Sequence, residues 1–146
     1  MSLRISEREL GRIHAEGRKA YPYECCGALL GRAENGRKNV ADILPLSNRR
    51  DDSPRNRFLI TADDWKQAET EARRRGLELI GFYHSHPDHP ARPSEFDRDH
   101  AWPWYSYIIV SVNEGAAGEA HSWTLAEDRS RFEPETIALV QLSSRD

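Results

Sequence analysis

The chain has 146 residues, 38% hydrophobic and 31% charged, with 8 proline and 9 glycine. That length and balance predict one globular domain spanning residues 1–146, and they exclude a disordered chain or two full-sized domains. The formal charge of −3, with 21 basic residues scattered rather than gathered into a stripe, makes nucleic acid an unexpected partner, and no apolar run approaches the roughly 20 residues that span a bilayer, so no membrane contact is expected.

The first residues, Met1 to Glu7, hold no apolar core of signal-peptide length, so no export is expected either. Ser6-Glu7-Arg8-Glu9 has the form of a capping box. Leu10, Ile13 and Ala20, with Ile5 ahead, mark the apolar face of a helix running to about Tyr21, where Pro22 stops it. Cys25 and Cys26 are the only cysteines and are neighbours, a pairing too strained for a disulfide scaffold; a reducing, cytoplasmic location fits.

Gly27-Ala28-Leu29-Leu30-Gly31 and the extended run Asn39 to Leu46 flank an Asn35-Gly36 turn and predict a hairpin, with Glu24 at the entry to its first strand. Ser47 to Arg57 reads as an exposed loop suited to a flap, and Arg57 to Ile60 as a strand. Thr61-Ala62-Asp63-Asp64 caps a second helix through Arg75, closed by Gly76, and Leu77 to Tyr83 is a further strand. The histidine- and proline-rich stretch His84 to Pro93 is expected to be irregular. Tyr105 to Val112 and His121 to Leu125 read as strands separated by the Gly115-Ala116-Ala117-Gly118 turn, and Pro134 to Leu142 as either helix or strand. Helices and strands alternate without a βαβ repeat, which predicts an α+β domain, an α-β-α sandwich built on a mixed, curved sheet flanked by helices.

The chemistry concentrates around Tyr83-His84-Ser85-His86-Pro87. Side chains alternate across a strand, so histidines at i and i+2 point to one side and both can face one metal. Asp97 stands eleven residues beyond His86, and a His, His, carboxylate set leaves coordination positions open for water, as in catalytic zinc sites. Hydrolysis then needs a base to take a proton from the water and hand it to the leaving group, and Glu24 is the candidate; the Ser94 hydroxyl could donate to the developing oxyanion. Each residue also has a plainer reading. Ser94-Glu95-Phe96-Asp97 makes a capping box for a short helix ending near Trp102, and Glu24 alone could be a solvated surface carboxylate. His89 and His100 do not keep the strand phase of His84 and are assigned to the surface, while Cys25 and Cys26 alternate sides and read as packed thiols. Trp102-Pro103-Trp104 reads as packing that could also wall a groove.

An upstream glutamate, then His-x-His-Pro, then Ser-x-x-Asp, standing as Glu24, His84-Ser85-His86-Pro87, Ser94 and Asp97, resembles the signature of the JAMM or MPN-type (JAB domain) metalloproteases. The context Pro22 to Gly31, with Arg57-Phe58 before the second helix, is similar to the small stand-alone prokaryotic members. The resemblance implies a single JAMM/MPN domain of cytidine-deaminase-like architecture and one zinc ion on His84, His86 and Asp97. It also implies Glu24 as general acid and base, and Ser94 at the oxyanion. The implied substrate is a peptide or isopeptide bond at the C-terminal Gly-Gly of a ubiquitin-like sulfur-carrier protein, or an adduct there, with homodimerisation left open. Three other functions share some of these residues: a non-heme iron oxygenase, which uses the same ligand types, a catalytically silent MPN scaffold, and a zinc hydrolase of a different amide.

Overall fold

A computed structural model of the protein describes residues 2–46 and 60–140, so the loop and flap expected at 47–57 and most of the strand expected at 57–60 lie outside the described residues. Seven strands and three helices follow in the order β1 (Ser2–Ser6), α1 (Glu7–Ala20), β2 (Cys26–Glu34), β3 (Arg37–Leu46), α2 (Ala62–Arg74), β4 (Glu78–Pro87), α3 (Glu95–His100), β5 (Ser106–Asn113), β6 (Ala116–Leu125) and β7 (Phe132–Val140). Among the described residues no helix is long and apolar enough to cross a membrane.

The expected helix-flanked α-β-α sandwich is not what forms. The strands close into a barrel in the order β1-β3-β2-β4-β5-β6-β7. Closure depends on β1, which the sequence reading had absorbed into the approach to the first helix. Leu3 and Ile5 alternate with polar residues in a run of only five, yet β1 pairs in parallel with β3 on one side and with β7 on the other. First and last strands are thus stitched together, and an open-edged sheet becomes a continuous one.

α1 begins where expected, with the Ser6 hydroxyl accepting the Glu9 amide at 3.1 Å. It packs against β1, β3, β4, β5 and β6, and its Ile13 joins Leu3, Ile5, Leu29, Ile43, Ile80, Tyr83, Ile108 and Val110 in one apolar cluster. α2 opens on a complete capping box, Thr61 with Asp64, and ends before Gly76 at φ 72°. Its Ala68 and Ala72 pack on Ala28, Leu30, Leu79 and Phe82 in a second cluster. The two cysteines divide between these clusters, Cys25 in the first and Cys26 in the second, as alternation along a strand requires.

Two turns are tight hairpins with two consecutive left-handed residues. Asn35-Gly36 falls where expected, at φ 51° and 74°. The second turn is Glu114-Gly115, φ 50° and 84°, so β6 starts at Ala116 instead of after Gly118. β7 resolves the helix-or-strand question at the C-terminal end in favour of strand.

The largest local departure concerns the histidine- and proline-rich run. The sequence reading ended a strand at Tyr83 and expected irregular chain from His84, whereas β4 continues to Pro87. Partners on the flanking strands explain it: β5 runs parallel beside β4 from Gly81↔Ser106 to Pro87↔Val112, and β2 runs antiparallel along its other edge as far as Cys26↔His84. Gly81 sits where β4 is tightest, and a Cβ there would collide with the Ser106 backbone carbonyl. Gly81→Ala should therefore cost about 1–3 kcal/mol in urea unfolding; an unchanged midpoint would mean that β4 and β5 can separate without penalty.

Candidate metal centre

Alternation along β4 sends Tyr83 and Ser85 to the face packed by α1 and leaves His84 and His86 on the other. Asp97 comes to the same place from α3. The three ligand atoms form a nearly equilateral triangle: His84 Nε2 to His86 Nε2 is 3.1 Å, His86 Nε2 to Asp97 Oδ2 is 3.2 Å, and His84 Nε2 to Asp97 Oδ2 is 3.4 Å. A tetrahedral ion with bonds of about 2.0–2.1 Å holds adjacent ligand atoms about 3.3 Å apart. Nitrogen and oxygen donors at that spacing, with both imidazoles buried, fit a borderline divalent metal, and no other group of His, Cys, Asp and Glu of this kind occurs among the described residues.

His86 and Asp97 are oriented from behind. His86 Nδ1 lies 2.9 Å from the Pro90 carbonyl and donates its hydrogen there, so in the neutral ring the Nε2 lone pair faces the cluster. Asp97 is the N3 residue of α3. Its Oδ2 accepts the Ser94 amide at 2.9 Å, while its own amide donates to Ser94 Oγ at 3.1 Å. The capping-box reading of Ser94 is therefore correct, and the same carboxylate oxygen that caps the helix completes the triangle.

Longer-range ties hold the two carriers of that carboxylate. After the loop 88–93 leaves β4, the Ser111 hydroxyl donates to the His89 carbonyl at 2.6 Å and the Trp123 indole to the Ala91 carbonyl at 3.1 Å. At the far end of α3, Arg129 donates to the carbonyls of Ala101 at 2.8 Å and Asp99 at 3.4 Å. Trp102 donates its amide to the Tyr107 hydroxyl at 2.9 Å, and the buried Lys38 ammonium donates to the Trp104 carbonyl. None of these supports was singled out from the sequence; a serine, an arginine and a tyrosine far away in the chain carry no local signal of whom they will meet.

Glu24 is 5% exposed, and it lines an open cleft of about 330 Å³ together with His86, His89, Pro90, Arg92, Ser94, Phe96 and Asp97. The structure therefore brings all five singled-out residues to one place. His89, assigned to the surface, lies on the cleft wall, while His100 stacks on Phe96 with ring centroids 4.1 Å apart. Trp102, partly buried, packs against Trp65 and Phe82 and also lines a small cavity that His84 and Asp97 share. The thiols are poor ligands: burial pushes Cys25 up to about 11 and raises Cys26 further.

In the metal-free site, burial opposes charge on His86, but the Asp97 carboxylate, the Pro90 carbonyl and Glu24 outweigh it and hold the imidazolium above its ordinary range. Burial lowers His84, with Asp97 offsetting only part of the effect. Burial would raise Asp97, but the two imidazoles bring it well below the usual carboxylate range. A proton on His86 therefore competes with a metal for this site.

The chain belongs to the family of prokaryotic homologues of the JAB domain, which matches residues 6–126, and the resemblance to JAMM/MPN proteins is thereby borne out. It is 34% identical over 109 residues to the desampylase of Haloferax volcanii, covering 74% of this chain and 75% of that one. It is 36% identical over 78 residues to a probable TtuB-protein conjugate cleaving protease of Thermus thermophilus, which is 53% of this chain and 52% of the relative. A solution structure of a Desulfitobacterium hafniense protein superposes with a TM-score of 0.84 at 28% identity, covering 98% of this chain and 96% of the other.

Two outcomes follow for metal binding. Apparent affinity for zinc, measured with a competing chelator, should fall as pH drops through the raised His86 pKa and fall more steeply once His84 is protonated too; an affinity unchanged by acidification would contradict imidazole ligation. Asp97→Asn keeps a capping side chain but loses the anionic ligand, so it should fold normally by circular dichroism while binding zinc at least about 10- to 100-fold more weakly.

Proposed function

We propose that the protein is a zinc-dependent metallopeptidase of JAMM type. Its substrate is the peptide or isopeptide bond after the C-terminal Gly-Gly of a ubiquitin-like, sulfur-carrier-type protein, or an adduct on that terminus. The observation that carries the reading is that Glu24 and Ser94 line one cleft with His86 and Asp97, two corners of the His84, His86, Asp97 triangle. The chain's similarity to a desampylase and to a probable TtuB-protein conjugate cleaving protease supports the substrate class.

His84, His86 and Asp97 hold the metal. Zinc bound there would polarise the scissile carbonyl and bring the pKa of a water to about 7. Glu24, at the cleft wall beside His86, takes the proton of the attacking water and passes it to the leaving amine. Ser94 Oγ uses an acceptor position for the Asp97 amide, which leaves its hydrogen to donate to the carbonyl oxygen as negative charge develops. A Gly-Gly tail suits such a cleft, since glycine backbone can lie close to the site where side chains would clash and its amides can pair with exposed main chain.

The test uses a sulfur-carrier protein fused through its Gly-Gly terminus to a peptide extension, with zinc content measured on the same samples. Glu24→Gln should retain one zinc per chain and lose about 100- to 10000-fold in kcat. Wild-type protein that binds zinc and leaves the fusion intact would contradict the substrate class, and Glu24→Gln with full activity would contradict the mechanism.

A further inference from the structure

We infer that Ser85, the residue between the two imidazole ligands, is a positioning residue for Glu24: its hydroxyl fixes the peptide unit that follows the glutamate and so sets the base against the metal centre. This rests on the reading of Glu24 as the base.

The antiparallel pairing of β2 with β4 places Cys26 opposite His84, and one step further Cys25 falls opposite Ser85. A regular pair of this kind exchanges two backbone hydrogen bonds. One is present, from the Ser85 amide to the Cys25 carbonyl at 3.1 Å. The other is replaced: the Cys25 amide donates to Ser85 Oγ at 2.8 Å. A side-chain oxygen has taken the place of its own backbone carbonyl at the point where β2 begins, so the chain can leave the ladder there without leaving a buried donor unmade. The donor belongs to the peptide bond between Glu24 and Cys25. Glu24 is therefore tied through one covalent unit to the strand that carries both histidines.

Ser85 has little freedom to do otherwise. It is fully buried on the face of β4 opposite the imidazoles, against α1. A Cβ added at Gly17 of α1 would already stand 3.4 Å from Ser85 Cβ and 3.0 Å from Val112 Cγ2. Ser85 is thus enclosed against α1 while the imidazoles on either side lie on the other face of β4, and the Cys25 amide is the partner its hydroxyl meets. Displacement of a reacting group by about 1 Å costs on the order of 100-fold in rate.

Hydrogen exchange at the Cys25 amide, zinc affinity, and kinetics of S85A, E24Q and the double variant on the carrier-protein fusion test this together. In the unmodified protein the Cys25 amide should be strongly protected, and S85A should release it. S85A should keep zinc affinity and KM within about threefold and lose about 10- to 100-fold in kcat. In the E24Q background S85A should have almost no further effect, because the group it positions is already gone. A full S85A loss in the E24Q background, a parallel loss of zinc affinity, wild-type kcat in S85A, or a freely exchanging Cys25 amide would overturn the inference. If S85A does not fold, the near-isosteric S85C, whose thiol is a weaker acceptor, takes its place: it should lose Cys25 protection and kcat together, and wild-type values of both would overturn the inference. Undiminished cleavage by E24Q would instead sink the Glu24 reading, and the exchange result stands apart from that.

Discussion

β4 is paired along both edges, antiparallel to β2 and parallel to β5, and the site depends on that double pairing. Strand side chains alternate, so a slip of one residue would turn both imidazoles towards α1 and Ser85 towards the cleft. Neither flanking strand alone covers all of β4: β2 pairs with Glu78 to His84, and β5 with Gly81 to Pro87. Pro87, which has no amide to donate, stands at the end, where the strand gives way to the loop that must bring Asp97 back.

The carboxylate half of the site is built on less. α3 has six residues, too few to be stable in isolation. It exists because Ser94 and Asp97 cap each other at one end, Arg129 takes up carbonyls at the other, and side chains from β5 and β6 hold the preceding loop. Closing the barrel matters to the site for this reason. Arg129 lies in the connection between β6 and β7, and β7 is fixed by β1 at the opposite end of the chain. A strand with no clear local signal therefore helps to hold Asp97, a candidate metal ligand, through two intermediaries.

The site was more legible than the fold. Two histidines at strand spacing, a carboxylate with a capping serine, and an upstream glutamate are local patterns whose residue types fix their chemistry, and the structure gathers all five. Helix starts at Ser6 and Thr61 and the Asn35-Gly36 turn were also legible, because caps and left-handed turns are decided by a few adjacent residues. What failed depends on distant partners. Barrel closure needs β1 to find β3 and β7, and the extension of β4 through a His- and Pro-rich run needs β5, neither of which any window of sequence displays. The same holds for Ser85, Ser111 and Arg129, ordinary residues until the fold gives each a backbone group to meet.

The central claim is that β4 and α3 together present two imidazoles and one carboxylate, with the adjacent thiols kept out. X-ray absorption at the zinc edge of the loaded protein tests it directly. The geometry predicts nitrogen and oxygen neighbours at about 2.0–2.1 Å with the outer-shell scattering of two imidazoles. A sulfur shell at about 2.3 Å would put Cys25 or Cys26 on the metal and contradict the arrangement described for this strand.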